Sequence, residues 1–172
     1  DEDDDDEAIT VDSLGAQGRT ALMRACGAGH MECVTFLLGK GASVTKADKA
    51  GRTALHWAAI AGHMEAVRIL LALPAVDLTV ATESGMTALH AAVSAKNANI
   101  ISLLATSCKE KSEALSLSEE EQATRLMEFF GAKNSDDKTA WDLAEATKDK
   151  DVCTALKDLG DPQSQNSSCA IM

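Results

Sequence analysis

Large rings are what this chain has least of. It holds three Phe, two Trp and no Tyr in 172 residues, so aromatics make up 3%. A core built on aromatic packing is excluded, and small and aliphatic side chains must fill it. No apolar run is long enough to span a bilayer, and no secretory signal is visible. The five cysteines, Cys26, Cys33, Cys108, Cys153 and Cys169, are odd in number and irregularly spaced. That argues against a disulfide framework and points to a reducing intracellular compartment. No glycine-rich phosphate loop, nucleophile elbow or His-Glu-x-x-His is present. The chain therefore reads as non-enzymatic, with no cofactor and no small-molecule substrate expected. Basic patches for nucleic acid are missing as well. The net charge is −11, but residues 1–7 are all acidic and supply seven of those charges.

What is present is repetition. Gly51-Arg52-Thr53-Ala54-Leu55-His56-Trp57-Ala58-Ala59 leads into Gly62-His63-Met64-Glu65-Ala66-Val67. Thirty-three residues earlier stand Gly18-Arg19-Thr20-Ala21-Leu22 and Gly29-His30-Met31-Glu32. Thirty-four residues later stands Gly85-Met86-Thr87-Ala88-Leu89-His90. A fixed period near 33 marks a stacked-repeat architecture. Thr53 can cap a helix through its hydroxyl. Leu55, Ala58 and Ala59 share one face of that helix, Gly62 permits the turn, and Val67, Leu70 and Leu71 mark a second helix. Neither helix can bury its stripe alone; stacked neighbours can.

This pattern resembles the ankyrin repeat, with Ala21, Ala54 and Ala88 where that family usually has Pro. Repeats one and two match almost fully. The third has Lys96-Asn97 in place of Gly-His. A fourth, weaker copy is Thr139-Ala140-Trp141-Asp142-Leu143-Ala144. The expected fold is an all-α ankyrin-repeat solenoid of about four helix-turn-helix repeats, with an inserted helix between the third and fourth.

The chain divides into an acidic, disordered tail at 1–10, repeats over 11–160, and a flexible linker over 161–172. From Thr87 to Thr139 is 52 residues, well beyond one period. The surplus lies at about 107–134 and contains Ser118-Glu119-Glu120-Glu121, a capping box opening a helix at about 119–130. Ala123, Leu126, Met127 and Phe130 fall on its apolar face, which leaves Phe129 exposed as a partner contact. The insertion reads either as a decayed repeat packed on the stack or as a functional appendage. Glu145, Thr147, Lys148, Asp149, Lys150 and Lys157 give the fourth repeat the polar face of a terminal cap.

Cys26, His30 and Cys33 have helical spacing, but the repeats explain them better than zinc does: a structural zinc site wants four ligands. The resemblance implies that His56 and His90 bond backbone between neighbouring turns. The final Cys169-Ala170-Ile171-Met172 resembles a prenylation box selecting farnesyl, with lipid on Cys169. A prenyltransferase would then be a partner. One such chain gives only reversible membrane binding, and no polybasic run or second cysteine stands beside it. The expected location is cytoplasmic, with peripheral lipid-anchored association at a membrane's cytoplasmic face.

The resemblance also implies a protein partner on the concave surface, through turn tips and first helices. Carried over by position, the binding residues are Ala16, Gln17, Arg19 and Gly27, then Lys49, Ala50, Arg52 and Ile60, then Glu83, Ser84, Met86 and Ser94. Arg19, Arg52 and Met86 are expected to carry most energy. The leading expectation is an adaptor. The alternative is a soluble regulatory inhibitor whose acidic tail engages a basic site on its target.

Overall fold

The computed structural model describes residues 10–115 and 118–158. The acidic stretch 1–9, the linker 161–172 and Cys169 lie outside the described residues. Nine helices stand among the described residues: α1 (Ala21–Ala28), α2 (Met31–Gly39), α3 (Ala54–Ala61), α4 (Met64–Leu71), α5 (Ala88–Ser94), α6 (Ala98–Ala114), α7 (Glu119–Gly131), α8 (Ala140–Thr147) and α9 (Lys150–Asp158).

Four short turns set the spacing of everything else. In each, a backbone N–H donates to the carbonyl four residues on: Gly15 to Arg19, Asp48 to Arg52, Thr82 to Met86 and Asn134 to Lys138, each at 2.9 Å. The turns then bond to one another. The N–H of Lys49 donates to the Gln17 carbonyl at 3.0 Å, Glu83 to Ala50 at 3.1 Å, and Ser135 to Ser84 at 2.9 Å. Backbone polar groups at these tips are thereby satisfied by the neighbouring repeat.

Behind each turn a threonine opens the first helix. Thr20, Thr87 and Thr139 accept from Met23, His90 and Asp142 N–H, and Thr53 and His56 complete a capping box. First helices form one row, α1, α3, α5 and α8, and second helices another, α2, α4, α6 and α9. The core between the rows is aliphatic and small: Leu22, Ala58, Ala59, Val67, Leu70, Leu89 and Leu104 are fully or almost fully buried. Each large aliphatic side chain so buried contributes roughly 1.5 to 3 kcal/mol. The alanines contribute less by area but let helices approach.

The first helix pairs turn at glycine in the left-handed region, Gly29 at φ 73° and Gly62 at φ 82°. Repeat three has no glycine there. Lys96 adopts φ 59° instead, and Lys148 adopts φ 53° in repeat four. Asn97, standing where His63 stands in repeat two, donates through Nδ2 to the Ala59 carbonyl at 3.0 Å.

The insertion does not interrupt the stack. α5 packs directly on α8, and α6 on α9. At Gly85, with φ 70°, an added Cβ would lie 2.9 Å from Asn134 Cα, so the third and fourth turns meet closely. Part of the surplus simply lengthens α6, which runs 17 residues to Ala114. Lys111 on that extension donates to the carbonyls of Leu73 and Val76 at 3.2 and 2.8 Å. The rest forms α7, which packs on α6 and α8.

Phe129 is not an exposed contact; it is 1% exposed, and Phe130 beside it 3%. Their rings meet edge to face with centroids 5.1 Å apart. Met127, assigned to the apolar face, is instead 59% exposed. The reason is that α7 is seated mainly by its C-terminal turn. Ala123 and most residues before it are exposed, so burial follows position along the axis rather than one helical stripe.

Candidate interaction surface

The turn of repeat two carries a buried carboxylate. Asp48 has a fully covered side chain. Its Oδ1 accepts from the backbone N–H groups of Ala50 and Arg52, each at 2.9 Å. Its Oδ2 accepts from Arg52 Nε at 3.0 Å and Trp57 Nε1 at 3.2 Å. Burial alone would raise its pKa, but the N–H groups of Arg52 and Ala50, with the Arg52 guanidinium, hold it below the usual carboxylate range.

Trp57 stands over this turn, and both guanidiniums pack on it. Cζ of Arg19 lies 4.0 Å from the ring centroid and Cζ of Arg52 4.3 Å. Each such contact contributes about 0.5 to 1 kcal/mol at exposed sites and more when desolvated. Arg19 Nε sits 3.9 Å from Asp48 Oδ2, too far for a hydrogen bond, and is buried without an acceptor. A Cβ on Gly27 would lie 3.5 Å from the Trp57 ring. Small Gly27 thus makes room for Trp57 between repeats.

Beside this cluster opens a cleft of about 380 Å³ between repeats two and three. Six of the residues expected to bind a partner line it: Ala50, Arg52, Ile60, Ser84, Met86 and Ser94. Ile60 is 40% exposed and adds an apolar side chain to the cleft. Arg19 and Gly27 belong to the adjoining tryptophan cluster. Ala16, Gln17, Lys49 and Glu83 stand exposed at the turn tips, outside the cleft. Phe129 belongs to neither.

The histidines tie the repeats together. His56 Nε2 donates to the Met86 carbonyl at 3.1 Å, while Nδ1 accepts from the Thr53 N–H at 3.3 Å. His90 does the same with Lys138 at 3.2 Å and Thr87 at 3.3 Å. These partners assign the proton to Nε2. Burial lowers the pKa of both, against the carbonyls that favour the charged form. Neutral, fully bonded imidazoles of this kind hold structure. In repeat four Asp142 replaces the histidine, and its carboxylate accepts from Thr139 instead of reaching onward.

Burial drives the Cys26 thiol up to about 12, which makes it a poor nucleophile. No disulfide joins Cys26, Cys33, Cys108 or Cys153, and Cys153 Sγ donates to the Ala144 carbonyl at 3.7 Å. Among the described residues, no group of three or more His, Cys, Asp or Glu is placed to hold a metal ion.

Sequence reasoning missed Asp48 and Trp57, which build the frame on which the arginines rest. The signal was present for Trp57: it stands where the other repeats carry Arg24, Ala91 and Leu143. Thr82, Ala91 and Ala95 also line the cleft and were not anticipated.

Repeating helix pairs, a ladder of bonded turns and an open face of turn tips and first helices define a helical repeat protein built for contact with other proteins. The family model for ankyrin repeats, three copies, matches residues 5–82 and 46–114. The chain belongs to the ankyrin repeat family. The fourth helix pair lies beyond the matched residues. No curated protein matches the chain.

Proposed function

We propose that the chain is an adaptor that holds a protein partner on the face formed by the Arg19–Trp57–Arg52 cluster and the neighbouring cleft. The observation that carries this reading is the cleft itself. Exposed Ile60 and half-buried Met86 stand beside Arg52, which hydrogen-bonds to buried Asp48, and Arg52 and Arg19 both pack on Trp57. Apolar anchors next to fixed arginines are the composition of an energetic centre in an interface.

Arg52 is unsuited as a probe, because reversing its charge would also disrupt Asp48. Ser94 is exposed, lines the cleft and is free of such bonds. A pull-down from the source cells should lose its partner with Ser94→Arg. It should keep it with Thr106→Arg, placed on the second-helix row. Equal capture by both variants would move the surface elsewhere.

The proposal extends to the membrane. Cys169-Ala170-Ile171-Met172 has the composition of a farnesylation box where Met172 is the last residue of the protein in the cell. A prenyltransferase would then act on Cys169, and the adaptor would associate reversibly with a membrane's cytoplasmic face. No helix among the described residues is long and apolar enough to cross a membrane. The intact mass of the protein from its own cells, beside Cys169→Ser, tests this. One added farnesyl with loss of the last three residues supports it; an unmodified cysteine removes it.

A further inference from the structure

We infer that two copies of this chain pair through the outer face of repeat one, as a two-fold dimer in which Arg24 of each copy meets Glu32 of the other. This face is separate from the cleft between repeats two and three and leaves that cleft open.

α1 packs on α3 and α2 on α4. On their other side, the two helices of repeat one line an open groove of about 770 Å³. The groove has the lining of an inner repeat. Cys33 is exposed there, whereas Ala66, one period on, is fully buried. Ala21 is exposed and its counterpart Ala54 almost fully buried; Leu37 is half-buried and its counterpart Leu70 fully so. Phe36 adds a ring that is 63% exposed. The last helix pair instead carries exposed Lys148, Asp151 and Thr154, the polar dressing that a terminal repeat needs. A contiguous apolar face on a stack end marks a contact surface.

A further repeat in the same period would place Asp1 to Asp5 where repeat one has Val34 to Leu38. Five acids supply no apolar stripe to lay on α2.

The charges around the groove favour a second copy. Arg24 on α1 and Glu32 on α2 both line it, and both are exposed. Among the described residues neither has an ion-pair partner. In a two-fold contact, if one residue meets a second, the second meets the first. An axis normal to the face lays α1 of one copy on α2 of the other. Arg24 then stands opposite Glu32 twice, on either side of the apolar side chains of both copies. A rim of one sign would repel its own copy; this rim is self-complementary. The remaining cations on the face are spread out: His30 stands at the turn between the helices, and Lys40 at the far end of α2, over the Phe36 ring. The chain enters beside that far end, where the Ser43 N–H donates to Asp12 at 2.9 Å. The two-fold sets the entries of the two copies at opposite ends of the face, so the acids before them start apart.

Two helices of eight and nine residues span a face of about 13 by 20 Å. That is less than the about 800 Å² per partner of a standard interface, so half-pairing is expected on the order of 0.1 mM chain.

Sedimentation equilibrium of the full chain tests this, with reductant present so that exposed Cys33 cannot join chains covalently. The mass should rise from one chain toward two between about 10 µM and about 0.5 mM. Phe36→Asp, at an exposed position, should stay at one chain throughout. Arg24→Glu and Glu32→Arg should each weaken pairing about tenfold, because each reverses two contacts per dimer. The double variant should restore wild-type pairing. Urea unfolding of each variant confirms that the fold is kept. A single-chain mass for wild type at every concentration overturns the proposal, and so does a dimer that survives Phe36→Asp. Failure of the double variant to restore pairing overturns the two-fold arrangement. Ser94→Arg should leave the dimer intact, and Phe36→Asp should keep the partner in the pull-down, so the two surfaces stand or fall separately.

Discussion

The indole Nε1–H of Trp57 donates to Oδ2 of Asp48 at 3.2 Å. That bond joins a helix to the turn that precedes it, and the same carboxylate oxygen receives Arg52 Nε. A single buried acid thus organises the turn, the tryptophan and the arginines of the proposed surface. Removing its charge should be costly. Asp48→Asn keeps the shape but sets an amide N–H₂ group or a weaker acceptor against donors already in place. We expect a loss of about 2 to 4 kcal/mol, within the range for a broken buried pair. Urea unfolding should show a lower midpoint at unchanged slope. A midpoint equal to wild type would mean that the carboxylate is dispensable.

Acid should weaken the stack through His56 and His90. Their folded pKa values lie below the ordinary 6.5, because both rings are buried. The unfolded chain therefore binds more protons below that pH. Their contribution is fully present above about pH 6.5 and is lost as pH falls toward the folded values. Between those limits each histidine adds a slope of up to about 1.4 kcal/mol per pH unit. Stability measured from pH 8 to pH 5 should show it, and His56→Gln should remove one histidine's share. A slope unchanged in that variant would contradict the assignment.

The turn of repeat three is strained where its predecessors are not. Lys96 holds φ 59° at the place where Gly29 and Gly62 stand, and it is exposed. Lys96→Gly should raise stability by about 0.5 to 1 kcal/mol, the relief of a left-handed β-carbon less the entropy glycine brings to the unfolded chain. The opposite change at Gly85→Ala should destabilise by more, because its Cβ meets Asn134 backbone at 2.9 Å. Thermal unfolding of the two variants beside wild type checks both signs.

The inserted helix should prove to be part of the packed structure at one end only. Phe129→Ala removes a ring that is 1% exposed and should cost about 3 to 5 kcal/mol. Met127→Ala, at 59% exposure, should cost less than about 0.5 kcal/mol. Similar values for the two would contradict the seating of α7 by its last turn.

The repeated Thr-Ala-Leu segments at Thr20, Thr53 and Thr87 made the architecture legible, because local capping and helical spacing are written in adjacent residues. The cleft was partly legible for the same reason: Ala50, Arg52, Ile60, Ser84, Met86 and Ser94 follow from position in the repeat. What escaped depends on contacts between units. Asp48 reads as an ordinary turn acid until Trp57, nine residues on, is folded back over it. Phe129 reads as exposed on a helical wheel, since the wheel does not show where along its axis α7 meets α6 and α8. The length of α6 was hidden too. Nothing in Cys108-Lys109-Glu110-Lys111 announces that Lys111 finds two carbonyls of the preceding repeat.

A protein partner seated on the cleft between repeats two and three would slow backbone exchange there. Hydrogen–deuterium exchange of the captured complex beside the free chain tests it most directly. Peptides covering 48–60 and 82–95 should gain protection in the complex, with α2 and α7 unchanged. Protection confined to α7 or to the second-helix row, with the cleft peptides exchanging as in the free protein, would contradict it.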